Sequence, residues 1–272
     1  MGSPAASLRA VREALGYHEL LRNLLVRDLK VRYQGSALGF LWSLLRPLLV
    51  IAVLIAVFQG LLETSVPHFG LFIVIGVFVW TYTADALASG VRSVVHNAAL
   101  VKRVYFPREL LPASAVLAHG VHFLLALLLV LPLVPLAGLP LTPQLLWLPS
   151  LLVFQTAFVL GIALLLAALN VFYRDIEAAL DPLLFAWFFA TPILYDLETV
   201  FSREWLGINL GWLVHALNPM ASFITSYRLV IIGGGAAPDP AFMLRTYLTA
   251  LAVLAVGYAV FKRVEPRFGE EL

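Results

Sequence analysis

There is no cysteine among the 272 residues of this chain. Disulfides, thiolate nucleophiles and cysteine-based zinc sites are therefore excluded. Charge is the second scarcity: 12% of the residues are Asp, Glu, Lys or Arg, against roughly 25% in soluble domains. A third absence is a nucleotide site. No glycine-rich loop closes on Gly-Lys-Ser or Gly-Lys-Thr, so the chain does not bind ATP through a P-loop. The His-Glu-x-x-His pattern of zinc hydrolases and the Gly-x-Ser-x-Gly elbow of serine hydrolases are missing as well.

What is present is apolar sequence, 61% of the chain. It comes in long continuous runs rather than alternating ten-residue segments, which selects membrane-spanning helices over a barrel. Six runs read as spans: 38–62, 69–87, 110–137, 145–171, 178–194 and 241–261. The first is interrupted by Arg46 and Pro47, and the fifth is short and holds Pro182 and Pro192. The expected fold is an all-α integral membrane domain over residues 1–272, with six transmembrane helices. No early apolar core stands in residues 1–25, so no cleavable signal is expected.

Ahead of the spans, Tyr17, Leu20, Leu21, Leu24 and Leu25 recur at helical spacing, which predicts an amphipathic helix over 17–25, the pattern blurring from Val26. Arg22, Arg27, Lys30 and Arg32 suit it to an interface of anionic headgroups. Asp28 and Arg32 fall on its apolar side, four residues apart and able to pair. The stretch 196–240 is too long for a turn and too apolar for a soluble loop. Two short re-entrant helices within 200–232, divided at Asn218-Pro219, fit it best.

The basic residues set the orientation. Arg9, Arg12, Arg22, Arg27, Lys30, Arg32, Arg92, Lys102, Arg103, Arg108, Arg174, Lys262, Arg263 and Arg267 fall on one side, and Arg203, Arg228 and Arg245 on the other. The excess puts both termini in the cytoplasm. Asp85 and Arg46 are ionisable residues inside spans, expected near the cytoplasmic face, with Arg46 snorkelling to it. The span centres are otherwise poor in carboxylates, which disfavours an ion-coupled transporter. His119 and His122 share a helix face and read as packing or an interhelical hydrogen bond rather than a metal site. The segment 94–104 reads as a short cytoplasmic helix with apolar Val94, Val95, Ala98, Ala99 and Val101 ahead of Lys102 and Arg103. It can be an interfacial anchor or a docking element for a soluble partner. Among many aromatic residues, Phe40, Trp42, Trp80, Tyr82, Trp187 and Tyr195 are candidates to line a conduit and stack on sugar rings, beside the usual role in interfacial belts.

Three blocks together resemble the membrane subunit of ABC-2 type exporters that move polysaccharides such as lipopolysaccharide O-antigen or teichoic acid. They are residues 27–47, RDLKVRYQGSALGFLWSLLRP; residues 96–109, HNAALVKRVYFPRE; and residues 169–176, LNVFYRDI, with Thr191-Pro192-Ile193 and Leu217-Asn218-Pro219 downstream. One departure is Arg46, where the family often carries Asn before the proline. The resemblance implies a homodimeric permease that docks two copies of a separate ATPase subunit carrying ATP and Mg. It implies an amphipathic gate helix over 17–33 and a coupling helix over 94–104 that uses His96, Asn97, Leu100, Val101, Lys102 and Arg103. Between gate helix and first span, Gly35 and Gly39 form a GxxxG pattern that allows either close helix contact or a hinge. It implies re-entrant extracytoplasmic helices over 200–232, and a polyprenyl-diphosphate-linked glycan as substrate. Arg27, Lys30, Arg32 and Arg46 are then the candidates to meet the diphosphate, because charge-assisted bonds to phosphate are strong. The alternatives are an ABC-2 exporter of a lipid or drug, and a membrane enzyme built on Asp196, Glu198 and Glu204.

Overall fold

The computed structural model describes residues 17–33, 41–61, 66–196, 204–205, 208–209, 214, 217–233 and 239–272. At 31–33, 41–44, 61 and in the short strands the description is of backbone only. The described chain is almost wholly helical. In chain order the helices are α1 (His18–Tyr33), α2 (Leu41–Ile55, continued by a π-helical turn, Ala56–Leu61), α3 (Phe69–His96), α4 (Ala98–Arg103), α5 (Leu110–Val130) and α6 (Leu133–Leu136). They are followed by α7 (Leu148–Phe172), α8 (Asp175–Ala190), α9 (Pro219–Ile232), α10 (Pro240–Val264) and α11 (Phe268–Glu271).

Among the described residues four helical stretches are long and apolar enough to cross a membrane: Phe69–His96, Leu110–Leu136, Pro143–Phe172 and Pro240–Glu271. α3 is the central one. In its most apolar window 78% of residues are buried, against 22% for the last stretch, which is peripheral. Large apolar side chains such as Leu48, Leu49, Leu128, Val153, Leu248 and Val256 are exposed. Such a surface suits a lipid solvent, with every backbone group satisfied inside its own helix. α7 and α10 touch backbone to backbone. A Cβ added at Gly161 would lie 2.6 Å from the Cα of Leu254, and one at Gly257 would collide with the Gly161 carbonyl. Small residues at such a crossing allow the van der Waals contact that holds helices together in lipid.

The structure corrects the expected boundaries in three places. The second span does not end near Leu87, because α3 runs on to His96. Ser89, Arg92, Ser93 and His96 recur at helical spacing on one face, while Val91 and Val94 are buried on the other. A change of composition that reads as a loop is an amphipathic last stretch of helix. Asp85 therefore lies eleven residues, about 16 Å at 1.5 Å per residue, from the end of α3, not close to it. Second, the helix expected over 94–104 is divided. Val94–His96 complete α3, the chain turns at Asn97, and α4 holds six residues. Third, Glu204–Trp205 and Ile208–Asn209 form a small antiparallel pair where the first of two short helices was expected. The second of those helices is present as α9, capped by the side chain of Asn218. The segments 34–40 and 197–203, including the Gly35–Gly39 hinge, Phe40 and Glu198, lie outside the described residues.

Candidate functional site

One face of α3 forms the floor of a large open cavity of about 1530 Å³. The residues on that face change character along the helix: Trp80 and Thr81, then Ala84, Asp85, Ala88 and Ser89, then Arg92 and His96. α2 contributes Arg46 and Pro47, α5 contributes His119 and His122, and α8 contributes Asp181, Phe185 and Phe189. α1 reaches the end of the cavity with Arg27 and Asp28. The cavity is thus aromatic at one end, polar in the middle and basic at the other end.

At the basic end, Arg27 on α1 donates through Nη1 to Asn97 Oδ1 at 3.0 Å and pairs with Asp28 at 2.9 Å. Asp28 in turn accepts from Ser114 Oγ on α5 at 3.0 Å. Asn97 is held by its own bond to the Ser93 carbonyl, at 2.7 Å. Arg92 pairs with Glu177 on α8 at 2.9 Å, and the two side chains are 35% and 36% exposed. Both pairs are open to solvent, so each is worth on the order of 0–1 kcal/mol. An anion with more charge and several oxygens can compete for these guanidinium groups. Lys262, which is not on the cavity wall, binds Glu109 at 2.9 Å and Glu265 at 2.8 Å, tying the end of α10 to the start of α5. The end of α4 and the turn after it carry their apolar anchors inward and their other side chains outward. Val101 and Phe106 are buried, whereas Lys102, Arg103 and Val104 are exposed and Tyr105 is 96% exposed.

At the aromatic end, Trp80 meets Trp187 edge-on at 5.5 Å and Phe188 at 5.8 Å. Phe185, Phe188 and Phe189 continue the cluster along α8. Behind it lies a polar hub. Asn218 accepts from Trp187 Nε1 at 2.9 Å and from the Met220 amide at 3.1 Å. It donates to the Ala190 carbonyl at 3.1 Å and to Thr191 Oγ1 at 2.9 Å. Arg228 on α9 is 7% exposed. It donates to the carbonyls of Phe72 (3.2 Å), Pro192 (2.6 Å) and Ile193 (2.7 Å), and its guanidinium carbon lies 3.3 Å from the Phe72 ring centroid. A Cβ at position 76 would lie 2.7 Å from Arg228 Nη2, so a larger residue there has to displace the guanidinium.

The residues singled out from sequence are distributed as follows. Arg27, Arg46, Trp80, His96 and Asn97 line the cavity together. Lys30 is exposed on α1 and is not on the cavity wall. Arg32 and Trp42 lie in helices whose side chains there are outside the described residues. Tyr82 sits behind the wall, buried, stacked on Phe123 at 5.0 Å and bonded to Thr156 Oγ1 at 2.8 Å. Trp187 backs Trp80 and is not itself on the wall. Tyr195 is half-buried beyond α8, where burial pushes its phenol up from the ordinary range. In α4, Val101 is buried and Leu100 partly so, while Lys102 and Arg103 face out. Sequence reasoning missed Arg92, Asp181 and Phe185 as cavity residues. The helical spacing of Ser89, Arg92 and His96, and of Asp181, Phe185 and Phe189, was the available signal.

Among the described residues no three His, Cys, Asp or Glu side chains are grouped to hold a metal ion.

The fold and this cavity are those of a membrane transport subunit. Residues 19–232 match the family described as ABC-2 type transporter, and the chain belongs to that family. It is similar to the O-antigen export system permease protein RfbA of Myxococcus xanthus, at 32% identity over 97% of this chain and 100% of the relative. It is similar as well to the protein of that name from Klebsiella pneumoniae, at 32% identity over 95% of this chain and 97% of the relative.

Proposed function

We propose that this chain is the permease subunit of an ATP-driven exporter that moves a polyprenyl-diphosphate-linked polysaccharide across the cytoplasmic membrane. It acts as a homodimer with two copies of a separate ATPase that supplies the P-loop, ATP and Mg. The observation that carries this reading is the grading of the cavity. Arg27, Arg46 and Arg92 suit a diphosphate, and Trp80, Phe185 and Phe189 offer faces to the apolar side of sugar rings. The relatives named as O-antigen export permeases support the substrate class.

On this reading α2 with its π-helical turn, 21 residues and about 32 Å long, and the shorter α8 complete six spans. α1 is the gate helix, at the cytoplasmic mouth. The basic end holds Arg27, Arg92, Lys102, Arg103 and Lys262, so it faces the cytoplasm with both termini. α9 and the stretch before it cap the far end. α4 and the turn after it dock the ATPase, with Lys102, Arg103, Val104 and Tyr105 as the contact and Val101 and Phe106 as the roots.

The test is Lys102→Glu with Arg103→Glu. ATP hydrolysis by the partner should continue while glycan delivery to the cell surface falls by at least about tenfold, as expected when an interface charge pattern is reversed. Normal delivery with normal partner binding would remove the docking assignment.

A further inference from the structure

The middle of the cavity has a chemistry of its own, distinct from both ends. Asp85 and Ser89 on α3 and His119 and His122 on α5 all line the cavity. Ser89 Oγ and His119 Nε2 are 2.8 Å apart, and the two imidazole rings are 6.2 Å apart at 84°. Asp85 is about 16 Å and His119 about 14 Å along their helices from the basic end, at 1.5 Å per residue. Asp85, Ser89 and His122 are only partly buried and line the cavity.

The donor and acceptor set narrows the ligand. A carboxylate accepts only, whereas a serine hydroxyl and a neutral imidazole both donate and accept. A diphosphate, which only accepts when ionised, is repelled by Asp85 and has Arg27, Arg46 and Arg92 to hold it elsewhere. An apolar chain would displace water from these groups without replacing its hydrogen bonds, which costs free energy. Vicinal hydroxyls of a sugar ring donate and accept at once and match the set.

We infer that Asp85, Ser89, His119 and His122 form a saccharide-reading station halfway along the cavity, between the cationic mouth and Trp80. It rests on the polysaccharide-export reading and adds where neutral sugar units are sensed.

The absence of native cysteine makes the test direct. Three single-cysteine variants of the full chain in nanodiscs, Ser89→Cys (near-isosteric), His122→Cys and Arg46→Cys, are labelled with a fluorescent maleimide. Two probes compete: polysaccharide freed of its lipid from producing cells, and undecaprenyl diphosphate without sugar. Polysaccharide at a few times its dissociation constant should slow labelling at positions 89 and 122 by roughly threefold or more. Undecaprenyl diphosphate should leave those two unchanged and slow position 46. Thiols at 89 and 122 that do not label, or that label at an unchanged rate with polysaccharide, overturn the station. So does equal protection by the sugar-free lipid. Protection at 46 alone would overturn the station and leave the export reading standing, whereas no protection anywhere counts against both.

Discussion

The two ends of the cavity are both built by joining sequence motifs that lie far apart, and they are joined in opposite ways. At the basic end Arg27 reaches Asn97 with its side chain 43% exposed. At the other end Asn218 and Arg228 reach Thr191, Pro192 and Ile193 in nearly complete burial. Burial decides what each contact can do. An exposed guanidinium pair is held weakly and can be exchanged for a ligand. A buried guanidinium that satisfies three carbonyls and an aromatic face is costly to disturb, because each group it leaves is stranded without a partner. The same residue type is an exchangeable contact in one place and a fixed joint in the other.

Replacing the buried joint should have the largest effect. Arg228→Met leaves the Pro192 and Ile193 carbonyls unpaired and should cost roughly 3–5 kcal/mol, seen as loss of folded protein or a large fall in the thermal midpoint in detergent. Unchanged thermal stability would mean that the hub is not a joint. Asn218→Ala removes a helix cap and the bond to Trp187 and should cost about 2 kcal/mol, with Trp187 fluorescence shifted as its indole loses its partner. At the basic end the expected effects are on transport, not on folding. Arg27, Arg46 and Arg92 changed together to Gln should lower glycan export by about tenfold, on the order expected for losing charge-assisted phosphate contacts, with thermal stability within about 1 kcal/mol of the parent. Lys30→Gln, off the cavity wall, should change export little. Smallest of all is Glu177→Gln, which frees Arg92 and should tighten binding of undecaprenyl diphosphate by a factor of a few. A loss of binding there would mean that the Arg92–Glu177 pair shapes the mouth instead of competing with the ligand.

Much of this was legible in the sequence, for physical reasons. Lipid demands long apolar helices, so α3, α5, α7 and α10 announce themselves by hydropathy. Arg27 and Arg92, spaced far apart in sequence, both line the cavity. The pairing of motifs was not legible. Nothing local in Thr191-Pro192-Ile193 or Leu217-Asn218-Pro219 says that one caps the other; only the returning chain brings them together. The end of α3 was misread because a helix lining a wet cavity carries polar residues and looks like a loop when composition is averaged over all its faces. The same averaging hides that Asp85 lines one cavity with Ser89, His119 and His122. Tyr82 shows the converse: an aromatic residue in the right stretch faces α5 and α7 rather than the cavity.

Passage of a diphosphate-linked glycan along this cavity under ATP-driven coupling is tested most directly by uptake into inverted membrane vesicles containing the chain and its ATPase partner, with lipid-linked polysaccharide added outside. ATP-dependent accumulation inside, lost in the Lys102→Glu, Arg103→Glu variant and absent for the same lipid diphosphate without its glycan, is the predicted result. Equal ATP-dependent movement of the sugar-free lipid, or accumulation that survives the double charge reversal, would contradict it.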